Sequence, residues 1–568
     1  MVNHQELSSL IWNVCDDVLR GLFKPHEYGD IILPFVVLRR LDCVIEPKKD
    51  EAFRLHEEYK DRVSDPSAII KSQLKTQFYN CSKYDLSRLK QDPKNLHLNF
   101  QSYLNGFSKN VYDIIENFQI QKPVDKLNKN NKLFLFIEKF TTVDLHPEVV
   151  DNHAMGQIFE ELLRRFSEMS NETSGEHYTP RDIVQLLVAL LFSESSDDLK
   201  GEGKIRSLFD PCCGTGGLLT IGKKWVLDNI NPNIEIRLSG QELNPQTYSI
   251  CKSDMLISGE TPDSIKLGSS LSEDGFQGEK FEYMMTNPPF GVSWKSEEEF
   301  ITEEAQNPHG RFFAGTPRTS DGSLLFLQHM ISKMEPKGSR IGIIFNGSPL
   351  FTGDAGSGES EIRKWIIEND LLECIVQLPD SLFFNTGITT YIWIVNNKKR
   401  DARKGKVQLI NASELFKPMK KSLGSKRKEV SQEQIDLIVK TYSGFVETDI
   451  CKIFSNPFFG YTKVTVEQPL LENGLPVKDK KGNIKPDTSL RDYERIPLGV
   501  DIDEYFAREV KPHLPTAYMD RSKDARGYEI NFTKYFYRYK PLRSLDEIAK
   551  DLLELEKESE GLMKEILK

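Results

Sequence analysis

Several features that would identify a broad class at once are missing from this chain. No apolar run approaches the ~20 residues that cross a bilayer. The opening Met1-Val2-Asn3-His4-Gln5-Glu6-Leu7 lacks the basic then apolar order of a secretory signal. The eight cysteines are scattered and contain no Cys-x-x-Cys pair, which argues against a zinc site or a disulfide framework. Reduced thiols in a cytoplasmic setting are the expectation. No Gly-x-x-x-x-Gly-Lys-Ser/Thr loop occurs, so the chain carries no sign of an ATP motor. Internal repeats are absent too. Positive charge is short: the net charge is −10. Phosphate neutralisation supplies most non-specific DNA affinity, so this balance argues against a protein that grips DNA unaided. It leaves room for a local basic surface or for a partner that does the gripping.

What remains is an ordinary globular composition, 38% hydrophobic and 28% charged, over 568 residues. That length holds two to four domains. The most informative stretch is Asn287-Pro288-Pro289-Phe290, which follows the apolar run around Tyr283-Met284-Met285. Neither proline can donate a ladder hydrogen bond, so a strand must end there. Pro288 also pushes Asn287 toward an extended conformation. The asparagine is thereby held at a strand's carboxyl end, where open α/β sheets bind ligands. Its side-chain oxygen and the neighbouring backbone carbonyl are two acceptors that suit an exocyclic NH2. Phe290 offers a flat face for a base. An Asn-Pro dipeptide alone would read as a turn.

Taken in order, residues 1–150 read as mostly helical. Leu10, Ile11, Val14 and Val18 keep helical spacing, and a second apolar segment runs from Ile31 to Ile45. Arg39 and Arg40 within it read as a solvated face. In Gly175-Glu176-His177-Tyr178-Thr179-Pro180, Thr179 is placed to cap a helix with Pro180 at its first position. From residue 204 strands, turns and helices alternate. The strand Ile205–Phe209 runs into Asp210-Pro211-Cys212-Cys213-Gly214-Thr215-Gly216-Gly217, whose glycines allow the backbone close to a ligand. A second strand, Ile234–Leu238, leads to Glu242, an acid suited to a ribose diol. Asp254, read as following the next helix, is a candidate for an adenine amino group; a helix-end aspartate is the other reading. Further strands are expected at 340–345, 372–378, 391–395 and 407–410. Residues 353–360 read as a mobile glycine- and serine-rich loop. The run of cations from Lys417 to Lys428 reads as a solvated loop, and also as the best local candidate for a phosphate contact. Residues 465–490 read as an exposed loop or hairpin. The C-terminal Ser544–Lys568 reads as a helix with an apolar stripe for its own core or a partner helix.

The glycine bend, Glu242 and Asn287 belong at one edge of one sheet, which suits S-adenosylmethionine beside a nucleobase. Their order resembles the N6-adenine DNA methyltransferase family, and specifically the modification (M) subunit of Type I restriction–modification systems. The resemblance extends to the helical N-terminal region and to tail segments such as Phe459-Gly460-Tyr461 and Gly527-Tyr528-Glu529-Ile530. It implies an α/β, Rossmann-like S-adenosylmethionine-dependent methyltransferase sheet with a helical N-terminal domain and a C-terminal helix. The domains implied are 1–150 (helical), 151–420 (catalytic), 421–540 (an extension with exposed loops) and 541–568 (a helix for subunit contact). Asn287, Pro288, Pro289 and Phe290 would be catalytic, acting on an adenine flipped from the duplex. Gly175, Glu176, His177, Tyr178, Thr179, Pro180, Asp210, Gly214, Thr215, Gly216, Gly217 and Glu242 would hold the cofactor, joined by Asp254. No metal is required. The implied partners are DNA, a specificity (S) subunit flanked by two M subunits, and a restriction (R) subunit; no membrane is implied. Rival readings are a protein glutamine methyltransferase using the same Asn-Pro-Pro motif, a cofactor-binding scaffold without catalysis, and a nicotinamide-dependent oxidoreductase. The last lacks the third glycine at its usual offset and gives Asn287 no task.

Overall fold

The computed structural model describes residues 12–170, 179–384, 386–472, 475–479, 482–537 and 544–566. Two compact units emerge, Met1–Ile530 and Asn531–Lys568. Within the first, a mixed sheet forms the centre. Its strands in chain order are β1 (Ile205–Asp210), β2 (Glu235–Glu242), β3 (Ile265–Leu267), β4 (Tyr283–Thr286), β5 (Arg340–Phe345), β6 (Leu372–Gln377), β7 (Tyr391–Asn396) and β8 (Lys406–Asn411). The hairpin β9 (Lys417–Leu423) and β10 (Lys426–Glu429) stands apart, and β11 (Cys451–Ser455) closes the large sheet. The spatial order is β11-β8-β6-β7-β5-β4-β1-β2-β3. β7 runs antiparallel to both neighbours and β11 antiparallel to β8; the remaining pairs are parallel. Every residue of β4, β5 and β7 is buried. Such unbroken apolar strands suit a sheet covered by helices on both faces.

Strand order reverses between β1 and β4. To one side lie β2 and β3, to the other β5. The loops after β1 and β4 therefore part at this point and leave a crevice at the carboxyl ends. Asp210 ends β1, Glu242 ends β2 and Asn287 follows β4.

The N-terminal region is helical, with an aromatic core in which Phe35 meets Phe136 edge-on at 4.7 Å. Arg40 is not solvated as its charge suggested. It is buried and donates to the carbonyls of Leu145 and Val150 and to Asn152 Oδ1, while Arg39 donates to Val143 O. Lys252, on the helix Pro245–Ile257 that follows β2, pairs with Asp113 at 2.5 Å. This fastens the helical region to the sheet.

Two loop expectations are revised, and the exposed hairpin expected within 465–490 is met. The cationic stretch is the β9–β10 hairpin. Within 465–490, β13 (Leu471–Glu472) and β14 (Leu475–Pro476) make a short hairpin. The 353–360 segment is strapped rather than free: Asp354 pairs with Lys463 at 2.6 Å and accepts from the Tyr461 hydroxyl at 2.9 Å. Both partners lie on β12 (Gly460–Glu467), the centre of a three-stranded tail sheet with β15 (Asp492–Pro497) and β16 (Tyr518–Tyr528). Arg363, on the helix Gly358–Glu368, is 1% exposed and donates to the carbonyls of Tyr528, Pro349, Thr352 and Gly353. The loop after β5 and the tail sheet thus share one buried cation. In the second unit, Leu545–Ile566 is helical, with Leu552 and Leu555 exposed.

Arg363→Met should leave those four buried carbonyls short of a donor and lower the unfolding free energy by about 3 kcal/mol. Urea denaturation measures this; a change below ~1 kcal/mol would show that the clamp is dispensable.

Candidate functional site

The crevice at the strand reversal is built from the two acids that end β1 and β2. The Asp210 carboxylate accepts at Oδ1 from the Thr286 hydroxyl (2.7 Å) and from the Cys212 N–H (3.0 Å). It therefore joins the carboxyl end of β1 to that of β4. Glu242 accepts from the Gly214 N–H at 2.8 Å and from the Asn244 N–H at 2.8 Å. The bend after β1 is thus hung on the acid that ends β2. Gly216 has φ +83° and precedes the helix Gly217–Asn229; a Cβ there would lie 2.7 Å from Cys251 Sγ. Only glycine makes this turn and this approach.

Asn287 is half-buried and donates through Nδ2 to Thr179 Oγ1 at 3.0 Å. Its Oδ1 is buried with no hydrogen-bond partner among the described residues. Thr179 was expected to cap the helix Arg181–Ser193. Pro180 takes that position instead, no side chain caps it, and the threonine hydroxyl faces the amide of Asn287. With its donor end engaged, the amide keeps its acceptor end buried and free of any hydrogen bond from the described residues.

Two cavities meet at Asn287 and Cys212. One, of about 480 Å³, is lined by Glu242, Asn244, Ser270, Pro289 and Trp294 among others. A smaller one is lined by Thr179, Gly214, Thr215 and Gly217. Glu242, the glycine bend and the Asn-Pro-Pro turn therefore share one hollow. Pro288 is buried beside it. Phe290 is half-buried and meets Phe383 edge-on, with centroids 6.0 Å apart.

Asp254 lines neither of these two cavities. The helix begun at Pro245 continues to Ile257, so Asp254 lies in its last turn, as the helix-end reading has it, rather than after it. It lines a third cavity of about 280 Å³ with Glu160 and Arg181, which meets the smaller one at Thr215 and Gly217. Burial pushes its carboxyl up to about 6, against the opposing charges of Arg40 and Arg181. Gly175, Glu176, His177 and Tyr178 lie outside the described residues.

Sequence reasoning missed the wall formed by Gly268, Ser269, Ser270 and Leu271, which follow β3 and line the larger cavity. β3 has three residues, of which one is buried, so no apolar run announced it. Trp294 and Phe326 complete that wall from loops and helices distant in sequence.

An acidic strand end, a glycine bend and a second strand-end polar group at the reversal of a mixed sheet define the S-adenosylmethionine-dependent methyltransferase fold. The residues present fit that cofactor. Glu242 keeps free lone pairs for a diol, and Gly214, Thr215 and Gly217 of the bend line the smaller cavity. The N-6 DNA Methylase family profile matches residues 150–466, and the profile described as the HsdM N-terminal domain matches residues 7–140. The Type I restriction enzyme MjaIX methylase subunit of Methanocaldococcus jannaschii is 27% identical over 534 residues, covering 90% of this chain and 91% of that one. The HindI methylase subunit of Haemophilus influenzae is 32% identical over 263 residues, 46% of this chain and 54% of the other. In three dimensions, the type I restriction–modification methyltransferase subunit of Streptococcus thermophilus superposes with a TM-score of 0.63 at 21% identity, over 80% of this chain and 96% of that one. The chain belongs to the N-6 DNA methylase family, and within it to the methylase subunits of Type I restriction enzymes.

Thr179→Val should free the Asn287 amide to turn and lower kcat about tenfold, roughly the worth of one hydrogen bond. Cofactor affinity should stay within about twofold, and Thr179→Ser should restore the rate. A Thr179→Val protein that loses cofactor affinity while keeping kcat would refute the positioning role.

Burial, helped by the charge of Glu242, pushes the Asp210 carboxyl up to about 7 against the hydrogen bonds from Thr286 and Cys212. In the unfolded chain it titrates near ~3.9. The stability linked to its proton is therefore complete below about pH 4 and is lost as pH rises through about 7. Relative to Asp210→Asn, the parent should become less stable by about 3 kcal/mol between pH 4 and pH 7. Urea melts across that range would show a flat difference if the group were not held protonated.

Proposed function

We propose that this chain transfers a methyl group from S-adenosylmethionine to N6 of an adenine flipped out of duplex DNA. It acts as the modification subunit of a Type I complex and protects host DNA from cleavage. The observation that carries this reading is the buried, unpartnered Oδ1 of Asn287, a residue that lines the hollow together with Glu242 and the glycine bend.

When bound, S-adenosylmethionine supplies an electrophilic methyl group. The chain's own residues do the rest. Glu242 accepts hydrogen bonds from the ribose hydroxyls, and Gly214–Gly217 lets the backbone close on the amino-acid end. Asn287 Oδ1 and the Pro288 carbonyl each accept one N–H of the adenine amine. Those two bonds hold the amine's protons and leave its lone pair free to point at the methyl. Phe290 stacks on the purine ring. Rate then comes from positioning and fixed dipoles, with no covalent enzyme intermediate. The acidic balance of the chain and the relatives' naming as Type I subunits support a division of labour. A specificity subunit reads the sequence between two M subunits, the helix Leu545–Ile566 contacts it, and a restriction subunit joins separately. All of this takes place in the cytoplasm.

In the complex co-expressed with its specificity subunit, Asn287→Ala should cut adenine methylation about 10³-fold. Calorimetry should find cofactor binding little changed. Glu242→Ala should do the reverse first, weakening the cofactor about 10- to 100-fold through loss of charge-assisted hydrogen bonds. Equal loss of both properties in Asn287→Ala would leave that residue a structural role only.

A further inference from the structure

Between Lys417 and Lys428 the sequence places six cations and no acid. The structure divides them into two sets. Lys417 pairs with Glu433 at 3.1 Å, Lys426 is buried against Asp182 at 3.0 Å, and Lys428 pairs with Asp380 at 2.5 Å. Lys420, Lys421 and Arg427 are exposed and carry no ion pair among the described residues. The first set fixes the β9–β10 hairpin; the second is left as free charge on a protein that is acidic overall.

The place of attachment gives this charge its meaning. The N–H groups of Arg427 and Lys428 donate to Ser381 O at 2.9 and 3.3 Å, and the Ser425 N–H donates to Phe384 O at 2.6 Å. Between those two carbonyls in the chain lies Phe383, the ring against which Phe290 leans. On its other side Lys426 grips Asp182, in the first turn of the helix whose preceding Thr179 holds the Asn287 amide. The hairpin is therefore fastened to the support of Asn287, which lines the hollow, and to the segment that carries Phe383, the ring packed on Phe290.

We propose that the β9–β10 hairpin is a contact for the phosphate backbone of duplex DNA, with Lys420, Lys421 and Arg427 touching the strand that flanks the flipped nucleotide. The proposal rests on the methyl-transfer reading above. A base turned out into the hollow stays covalently tied to a phosphate on each side. The strand must then cross the surface around the hollow, and the hairpin residues Leu423, Lys426 and Glu429 line an adjoining groove that shares Glu160 with the smaller cavity. Contacts of this kind hold register and carry no sequence information, which suits a subunit whose partner reads the sequence.

The test is a salt titration of duplex binding by the assembled complex, comparing the parent with Lys420→Gln/Lys421→Gln/Arg427→Gln. Each phosphate contact contributes about 0.9 to the slope of log K against log salt, so the triple variant should lose about 2 to 3 from that slope. Lys420→Arg/Lys421→Arg should retain the parental slope, and thermal melting of all variants should match the parent. If the parent methylates DNA and the slope of the triple variant is unchanged, the hairpin contact is wrong while the reaction stands. Weaker retention of the specificity subunit with an unchanged slope would also overturn it, as a protein contact. If the parent transfers no methyl group to DNA, both readings fall together.

Discussion

The arrangement depends on how one amide is oriented. An asparagine side chain has a donor end and an acceptor end, and only one of them can receive an amine. Here the Thr179 hydroxyl takes the donor end and leaves Oδ1 buried without a partner among the described residues, on a side chain that lines the hollow. A buried acceptor left unsatisfied costs about 1–3 kcal/mol. The protein tolerates that cost at the one place where two cavities, a glycine bend and a strand-end acid meet. Pro288 and Pro289 keep the backbone beneath the amide from joining a ladder and relaxing the arrangement.

The strand reversal explains why these groups meet. β1 and β4 are parallel neighbours, and their following loops turn to opposite sides. Asp210 accepts a hydrogen bond from Thr286 across that gap, and Glu242 holds the Gly214 N–H from the far side of β1. Three consecutive strands of the sheet are therefore linked at their carboxyl ends by carboxylates. The same acids shape the floor of the hollow, so architecture and binding surface are not separable there. Burial of Asp210 beside Glu242 makes one of these links dependent on its proton.

Much of this was legible from residues alone, and the exceptions share a cause. Asn287-Pro288-Pro289-Phe290, the bend at Gly214–Gly217 and Glu242 each carry a local signal: an end of a ladder, a positive φ, an acid after an apolar strand. β5, β6, β7 and β8 announced themselves as apolar runs. β3 and the tail strands did not. β3 is three residues long and one-third buried, and β12 has Thr462-Lys463 at its middle and buries Thr465 and Glu467, so neither an apolar run nor strict alternation marks it. Asp254 was misplaced because helix ends carry weak signals and this helix runs three residues past it. Arg40 read as surface charge because nothing local reveals that distant carbonyls will surround a guanidinium, as they also do at Arg363. Thr179 carried a true local signal for a cap, and a contact 108 residues away overrode it.

On the proposed reading, the pairing of two acceptors also sets which bases the hollow can receive. Adenine at C6 and cytosine at C4 carry an exocyclic amine, whereas guanine O6 and thymine O4 at the same ring positions are acceptors. Guanine or thymine would place oxygen against Asn287 Oδ1 and the Pro288 carbonyl, leaving all of them unsatisfied in a buried site. The unsatisfied acceptor of the free enzyme thus becomes a filter, because its cost is relieved only by a donor. Cytosine passes that filter, so its exclusion falls to shape. A single ring leaves part of a purine-sized space empty and loses contact with Phe290, and a chain that reads no sequence itself leaves the choice of which base is flipped to its partner.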